Sequence, residues 1–146
     1  MSEHTVMISK ISGDAKLPSY AHEDDVGMDL YSVEELVIKP MERKLVGTGI
    51  KIELPKNIEA QVRPKSGLSA KFGLSVLNTP GTIDPGYRGE VKVIIINLGN
   101  EEYKIEKGSK IAQMVFNEIK KPKIKIVDEL TKTKRGEGGF GSTGLM

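Results

Sequence analysis

The sequence predicts an all-β domain, a sandwich or barrel of short antiparallel strands with one short helix. Two observations support this fold class. Apolar and polar residues alternate along many short stretches, which is the period of a half-buried strand. Glycine, proline and asparagine cluster between those stretches, as at 54–57, 79–81 and 98–100, where they favour turns.

Strands are predicted wherever this alternation or a short apolar run occurs. The predicted strands span residues 6–11, 36–38, 50–54, 58–63, 74–77, 91–96, 103–106, 111–116 and 124–126. A turn or two around 66–72 is the only helix expected, with Ser66 as a candidate N-cap because its hydroxyl can accept a main-chain N–H.

Two of the predicted segments, 93–96 and 114–116, are apolar on both faces. A small barrel has a single buried interior, so the second apolar face of such a strand needs another cover. A contact between subunits would supply it. We therefore expect an oligomer.

Composition excludes several function classes. The 146 residues include 22 basic and 20 acidic side chains, a balance that does not indicate a nucleic-acid-binding surface. Cysteine is absent and the two histidines, His4 and His22, lack metal-ligand spacing, which excludes thiolate and zinc chemistry. No apolar run approaches the length of a membrane span, and the expected compartment is the cytoplasm.

A glycine-rich stretch at 81–90 concentrates reactive side chains. Glycines at 81, 86 and 89 and Pro85 fix a tight backbone path around Asp84, Tyr87 and Arg88. Asp-Pro-Gly between apolar runs is also an ordinary β-turn. The stretch alone fits either a plain turn or a rigid mount for reactive groups.

The last residues, 131–146, differ from the rest of the chain. Residues 131–144 hold five glycines and a single large apolar side chain, Phe140, so they cannot bury enough surface to offset their ordering entropy. We expect one β domain over 1–130 and a mobile arm over 131–146. The arm fits a disordered tail. It also fits a nucleotide lid, because Phe140 can stack on a base while Arg135 and the glycine and hydroxyl groups suit phosphate.

Five motifs together resemble the trimeric dUTP pyrophosphatase (dUTPase) family, and they occur in that family's order. They are Val-Gly-Met-Asp-Leu at 26–30, Arg-Pro-Lys-Ser-Gly-Leu-Ser at 63–69, the stretch 81–90, Gly-Ser-Lys-Ile-Ala-Gln at 108–113 and the glycine-rich arm at 135–144. The resemblance covers residues 26–144.

The resemblance implies a jelly-roll-like fold assembled as a homotrimer, with active sites between subunits closed by the C-terminal arm. It implies hydrolysis of dUTP to dUMP and pyrophosphate, which keeps uracil out of DNA and supplies dUMP for thymidylate synthesis. Mg²⁺ is the implied cofactor, held through substrate phosphates and water rather than directly by the protein. The implied partners are dUTP and further copies of the chain, with no nucleic acid and no membrane.

The resemblance also assigns roles to single residues. Asp84 is the candidate general base that activates water at the α-phosphorus, and the ring of Tyr87 lies under the deoxyribose, where a 2′-hydroxyl would clash. The remaining substrate-binding candidates serve uracil, the phosphates or the arm: Asn78, Thr82, Ile83 and Lys92 for uracil; Lys65, Ser66, Gly67 and Gln113 for the phosphates; and Arg135, Phe140, Gly141, Ser142 and Thr143 in the arm.

This sequence departs from the family pattern at three positions. Lys65 and Lys110 stand where the family usually has arginine, which keeps the charge but loses two-pronged hydrogen bonding. Val26 stands where alanine is usual. Asp29 matches the family, in which it supports either the basic residue of the second motif or metal-bound water.

Two other functions are weighed against dUTP hydrolysis. A dCTP deaminase, or its bifunctional relative, shares the fold but places a glutamate within the strand after the central turn, and residues 93–96 hold no acid. A non-catalytic β module would have little reason to keep Asp84, Tyr87 and the whole arm together.

Overall fold

The computed structural model describes residues 4–146, which fold into ten strands and one short helix. In chain order these are β1 (Met7–Lys10), β2 (Met28–Tyr31), β3 (Leu36–Ile38), β4 (Arg43–Glu53), β5 (Ile58–Arg63), α1 (Ser66–Phe72), β6 (Leu74–Val76), β7 (Gly81–Ile83), β8 (Glu90–Asn97), β9 (Tyr103–Ile105) and β10 (Lys110–Glu118). The all-β prediction with one short helix is confirmed.

Two four-stranded antiparallel sheets enclose the core. The first has the order β1-β4-β8-β6 and the second β2-β10-β5-β7, while β3 and β9 form a separate ribbon. Alternate residues of β5 and β8 are buried, as expected for strands with one face toward the core. β6 and β7 are therefore edge strands of different sheets, and the connection between them lies at the open edge of the sandwich.

The outer face of β8 remains partly apolar. Ile94 and Ile96 alternate with the buried Val93 and Ile95 and are only partly covered by the single chain. Leu45 is the register partner of Ile94 on β4 and is 56% exposed. The first sheet thus presents an apolar outer face, as the sequence predicted for residues 93–96.

Two local predictions are wrong. Residues 124–126 form no strand: they pair with neither sheet of this chain, and Ile124 and Ile126 are almost fully exposed. Ser66 is not the N-cap of α1. Lys65, with extended backbone angles, occupies that position and makes no side-chain cap bond.

Hydrogen bonds of the Asn97 side chain link the loops at the end of β8. Its side chain is completely buried, and its Nδ2 donates to the carbonyls of Ile38 (2.9 Å) and Glu101 (2.8 Å). Its Oδ1 accepts the N–H of Gly99 at 2.9 Å. One amide side chain thus pairs three main-chain groups, of which the Ile38 carbonyl is buried and the other two are part-buried.

Among the described residues, the only helix is α1, and it is too short to cross a membrane.

Candidate functional site

A pocket of about 270 Å³ opens where the β6–β7 connection meets β8, and we call it the edge pocket. Val62, Val76 and Val91 form part of its apolar wall. All six residues that the sequence predicted for catalysis, sugar selection or uracil recognition line it: Asn78, Thr82, Ile83, Asp84, Tyr87 and Lys92. They come from β7, β8 and the turns beside them.

The turn that carries Asp84 is held by its own hydrogen bonds. The N–H of Tyr87 donates to the Asp84 carbonyl at 3.1 Å. The Tyr87 hydroxyl donates to the Glu90 carbonyl at 2.8 Å, and the Arg88 guanidinium donates to the Pro85 carbonyl at 2.7 Å. The exposed Asp84 carboxylate therefore stands on a backbone with few alternatives.

Glu90 joins this turn to the first sheet, a role that the sequence interpretation missed. Its carboxylate accepts the N–H of Gly49 at 3.0 Å, where the pairing of β4 and β8 shifts register. Its main-chain carbonyl is the acceptor for Tyr87. The only feature of the sequence that could have indicated this role is the position of Glu90, an acid directly after a glycine-rich turn.

A second group of polar residues lies across the second sheet, and we call it the cationic corner: Asp29, Lys65, Lys110 and Gln113. Asp29, on β2, is 3% exposed. Its Oδ1 pairs with the Lys65 ammonium and its Oδ2 with the Lys110 ammonium, the latter at 3.1 Å. The predicted association of Asp29 with the basic residue of the second motif is present, and Lys110 is an addition to it.

The charges in the cationic corner shift one another's pKa values. Burial acts to raise the pKa of Asp29, but the hydrogen bonds and charges of Lys65 and Lys110 outweigh it and hold that pKa below the ordinary value. The hydrogen bond to Asp29 raises the pKa of Lys110. With two lysines around one carboxylate, the cluster carries one net positive formal charge.

Gln113 sits between the neighbouring strands of this corner. On β10 it is the register partner of Asp29 on one side and of Arg63 on the other. Its Nε2 donates to the Pro64 carbonyl at 2.9 Å, directly before Lys65. Ser66 and Gly67 follow as the exposed first residues of α1, and the space beside Gly67 is open.

Asp84, at the rim of the edge pocket, and Lys65, in the cationic corner, lie toward opposite ends of β5. Ile83, next to Asp84, pairs with Ala60 near the start of β5, whereas Lys65 lies two residues beyond the other end. At about 3.3 Å per residue, the five residues from Ala60 to Lys65 span roughly 17 Å. Asp84 and Lys65 are thus not brought together within one chain.

The arm carries the last set of predicted residues, Arg135, Phe140, Gly141, Ser142 and Thr143, and the structure does not bring them to either group. The hydrogen bonds that residues 131–146 make, among those described, stay within the arm, as from Arg135 Nε to the Gly138 carbonyl at 2.8 Å. Phe140 is fully exposed and has a φ of 51° between two glycines. Its ring is free to contact something outside this chain's barrel.

No cluster of three or more histidine, aspartate or glutamate side chains capable of holding a metal ion occurs within residues 4–146. Asp29 has an ammonium on each of its oxygens, which leaves Asp84 as the free carboxylate among the predicted site residues. This donor set fits a cation that arrives on phosphate oxygens, and it does not form a protein cage.

Comparisons with known proteins agree with the motifs. The sequence model described as dUTPase matches residues 13–144. The chain is 62% identical over 141 residues to a deoxyuridine 5'-triphosphate nucleotidohydrolase of Clostridium kluyveri, covering 97% of this chain and 99% of that protein. It is 56% identical over 144 residues to the protein of the same name from Clostridium tetani, covering 99% of each.

Solved structures show the same fold. The dUTPase of Staphylococcus bacteriophage 80alpha with dUpNHpp aligns with a TM-score of 0.90 at 30% identity, covering 97% of this chain and 99% of that one. A variant dUTPase of phage phi11 of S. aureus, described for its coordination of a structural Mg(II) ion, aligns with a TM-score of 0.80 at 26% identity. It covers 86% of this chain and 97% of that one.

Proposed function

Because this chain belongs to the dUTPase family and hydrolyses dUTP to dUMP and pyrophosphate, we propose that Asp84 is the general base of that reaction. The carboxylate accepts a proton from a water molecule whose oxygen bonds to the α-phosphorus, and the bond from that phosphorus to the pyrophosphate oxygen breaks. The observation that carries the proposal is that Asp84 is exposed at the rim of the edge pocket on a hydrogen-bonded turn.

Substrate selection follows from the shape of the edge pocket. The Tyr87 ring, fixed by its hydroxyl on the Glu90 carbonyl, forms the surface on which deoxyribose rests and which a 2′-hydroxyl would strike. Uracil lies deeper, against the β6–β7 connection, where Asn78 and the main chain of Thr82 and Ile83 can pair with its edge. A buried polar group left unpaired by the wrong base costs about 1–3 kcal/mol. Lys92 completes the rim.

The phosphates bind at the cationic corner. Lys65 supplies charge, Ser66 and Gly67 supply a hydroxyl and main-chain donors, and Gln113 supplies an amide. The corner's net positive charge favours a triphosphate over an uncharged nucleoside.

The distance along β5 supports an assembly with shared sites. Asp84 acts at the α-phosphorus and Lys65 holds the α- and β-phosphates, so both must reach the same few atoms, yet roughly 17 Å of strand separates them in one chain. Lys65 from a neighbouring copy resolves this conflict. The apolar face of Leu45, Ile94 and Ile96 offers the contact surface, and the assembly is a homotrimer.

The arm closes the site from another subunit. Its exposed Phe140 stacks on uracil, while Arg135, Gly141, Ser142 and Thr143 surround the γ-phosphate. Closure displaces water from around the phosphates. The arm is a separate mobile unit over 131–146, attached to the β domain of 1–130.

Mg²⁺ enters with the nucleotide. When bound, it neutralises phosphate oxygens and so favours nucleophilic attack and departure of pyrophosphate. The residues of this chain hold it indirectly, through the phosphates fixed by Lys65 and Gln113 and through water. The enzyme acts in the cytoplasm, where it keeps uracil out of DNA and supplies dUMP for thymidylate synthesis.

Replacing Asp84 tests the mechanism. Asp84→Asn removes the proton acceptor but keeps the shape, so turnover should fall by about 10²–10⁴-fold while dUTP still binds. Asp24→Asn, an exposed aspartate outside both sites, is the matched control and should keep wild-type turnover. Pyrophosphate release and equilibrium binding of dUTP measure the two quantities. Unchanged turnover in Asp84→Asn would remove Asp84 from the mechanism and reopen the non-catalytic alternative.

A further inference from the structure

Lys110 is the member of the cationic corner to which neither the reaction nor the proposed binding roles assign a function. It opens β10, opposite Tyr31 and next to a register shift in the pairing with β2. Its ammonium lies 3.1 Å from Asp29 Oδ2. The side chain is 48% exposed, whereas that of Asp29 is 4% exposed, so Lys110 brings charge from the surface to a carboxylate buried inside.

Asp29 presents a difficulty for the binding of phosphate. Its side chain competes with the nucleotide for the Lys65 ammonium, because both are anions and Lys65 pairs with Asp29 in the absence of substrate. If Asp29 had only Lys65, the pair would be neutral. A phosphate that drew Lys65 away would then leave a buried carboxylate without a partner, which is strongly unfavourable.

We propose that Lys110 is a positioning residue that holds the charge of Asp29, so that the Lys65 ammonium can turn from Asp29 to the nucleotide's phosphates. The inference rests on the proposed function, in which Lys65 is a phosphate ligand. With two cations on one carboxylate, Asp29 keeps Lys110 when Lys65 leaves. The corner also keeps its net positive charge toward the incoming anion.

The contacts of Lys65 and Lys110 fit these separate roles. Lys65 follows Pro64, whose carbonyl is held by Gln113, and directly precedes the open start of α1. Lys110 contacts Asp29 through the other carboxylate oxygen. Lys65 therefore adjoins the proposed phosphate-binding residues Ser66 and Gly67, while Lys110 holds the second carboxylate oxygen of Asp29.

Pyrophosphate binding without turnover is the first test. In Lys110→Met, Asp29 retains Lys65, so the variant should fold but bind inorganic pyrophosphate about tenfold more weakly than the wild type. The KM for dUTP should rise by a similar factor, with a smaller change in kcat. Lys110→Arg should restore both the affinity for pyrophosphate and the KM for dUTP. Lys107→Met, which removes the same charge from a surface lysine paired with Asp14, controls for long-range electrostatics and should change neither.

A double variant separates positioning from direct contact. In Asp29→Asn/Lys110→Met no buried carboxylate competes for Lys65, so pyrophosphate affinity should recover toward the wild-type value. If Lys110 contacted phosphate itself, the double variant would bind pyrophosphate more weakly than Asp29→Asn alone, whereas the proposal predicts equal binding by these two variants. Weaker binding by the double variant than by Asp29→Asn, or wild-type affinity in Lys110→Met, would overturn the proposal. Both binding results are independent of the Asp84→Asn turnover test, so failure of either proposal is recognisable by itself.

Discussion

The ring of Tyr87 lies directly over Gly89, so closely that a Cβ at position 89 would stand 2.9 Å from the ring's Cε1 and nearer still to the hydroxyl end. Gly89 is not required for a positive φ. It is required because the ring occupies the space of a side chain. The position of the ring, and with it the floor of the proposed sugar site, depends on the absence of a side chain at Gly89.

Gly89→Ala should therefore displace the Tyr87 ring and break its hydrogen bond to the Glu90 carbonyl. We expect kcat/KM for dUTP to fall by about tenfold or more, and the preference for dUTP over UTP to narrow. Gly86→Ala is the matched control in the same turn, since a Cβ there meets nothing within 4 Å. Pyrophosphate release from dUTP and UTP measures both effects. Equal losses in the two variants would contradict the role given to the ring.

Charge on the outer face of β8 should prevent assembly. Ile96 is only partly buried in the single chain and lies on the same face as Ile94, so Ile96→Glu should fold yet fail to associate. Sedimentation equilibrium should give three chain masses for the wild type and one for the variant, with activity lost in parallel. Val37→Glu, an exposed apolar position on β3, should remain associated. A monomeric, fully active wild type would refute the shared site.

Asp29 should make stability depend on pH in acid. Its pKa is lower in the folded chain than the ordinary 3.8, so its stabilising contribution is complete above that value and is lost as the pH falls through the folded pKa. Asp29→Asn should lose about 1–2 kcal/mol at pH 7, and its difference from the wild type should shrink below pH 3.8. Thermal unfolding followed at several pH values tests this. Glu35→Gln, which breaks an exposed pair with Lys104, should change the Tm little.

Asn97→Ala should be the most destabilising of these changes. It leaves the buried Ile38 carbonyl and two part-buried main-chain groups without this partner, at a cost of about 3 kcal/mol or more. Asn100→Ala, in the same loop but exposed, should be nearly neutral. Denaturant unfolding gives both values. If Asn97→Ala lowered the free energy of unfolding by less than a single surface hydrogen bond contributes, the loop would have rearranged to pair the main-chain groups.

The arm offers a change that separates activity from folding. Phe140 is fully exposed in the unliganded chain, so Phe140→Ala should leave the Tm unchanged while lowering kcat/KM for dUTP by about tenfold or more. Leu145→Ala, also exposed and outside the motif, should leave both unchanged. Equal kcat/KM for the Phe140 variant and the wild type would exclude base stacking by the arm.

Periodicity predicted most of the sandwich, because β5 and β8 bury alternate residues and the sequence records that alternation directly. It missed β2 and β7, which are short and lie within motifs that the sequence marks by their polar chemistry and glycines. It also placed a strand at 124–126. Alternation reports that a segment suits a sheet, but a pairing partner must be present, and Ile124 and Ile126 find none in this chain.

The site residues were predicted from their match to the dUTPase motifs, and their spacing along the chain did not predict them. The residues of the edge pocket are close in sequence or on paired strands, so their convergence follows from the turn and the register. The double pairing of Asp29 could not be predicted, because it depends on which ends of β2, β5 and β10 meet. Gly89 was read as a turn former, whereas the structure shows that it makes room for a ring.

The separation of Asp84 from Lys65 along β5 has a genetic consequence. If each site takes its base from one subunit and its phosphate ligand from another, two inactive variants can complement each other. Refolding Asp84→Asn together with Lys65→Met would place intact partners side by side in about a quarter of the sites of a random mixture. Activity would then arise from two variants that are each inactive alone. A gene that carries one substitution would be complemented by a gene that carries the other.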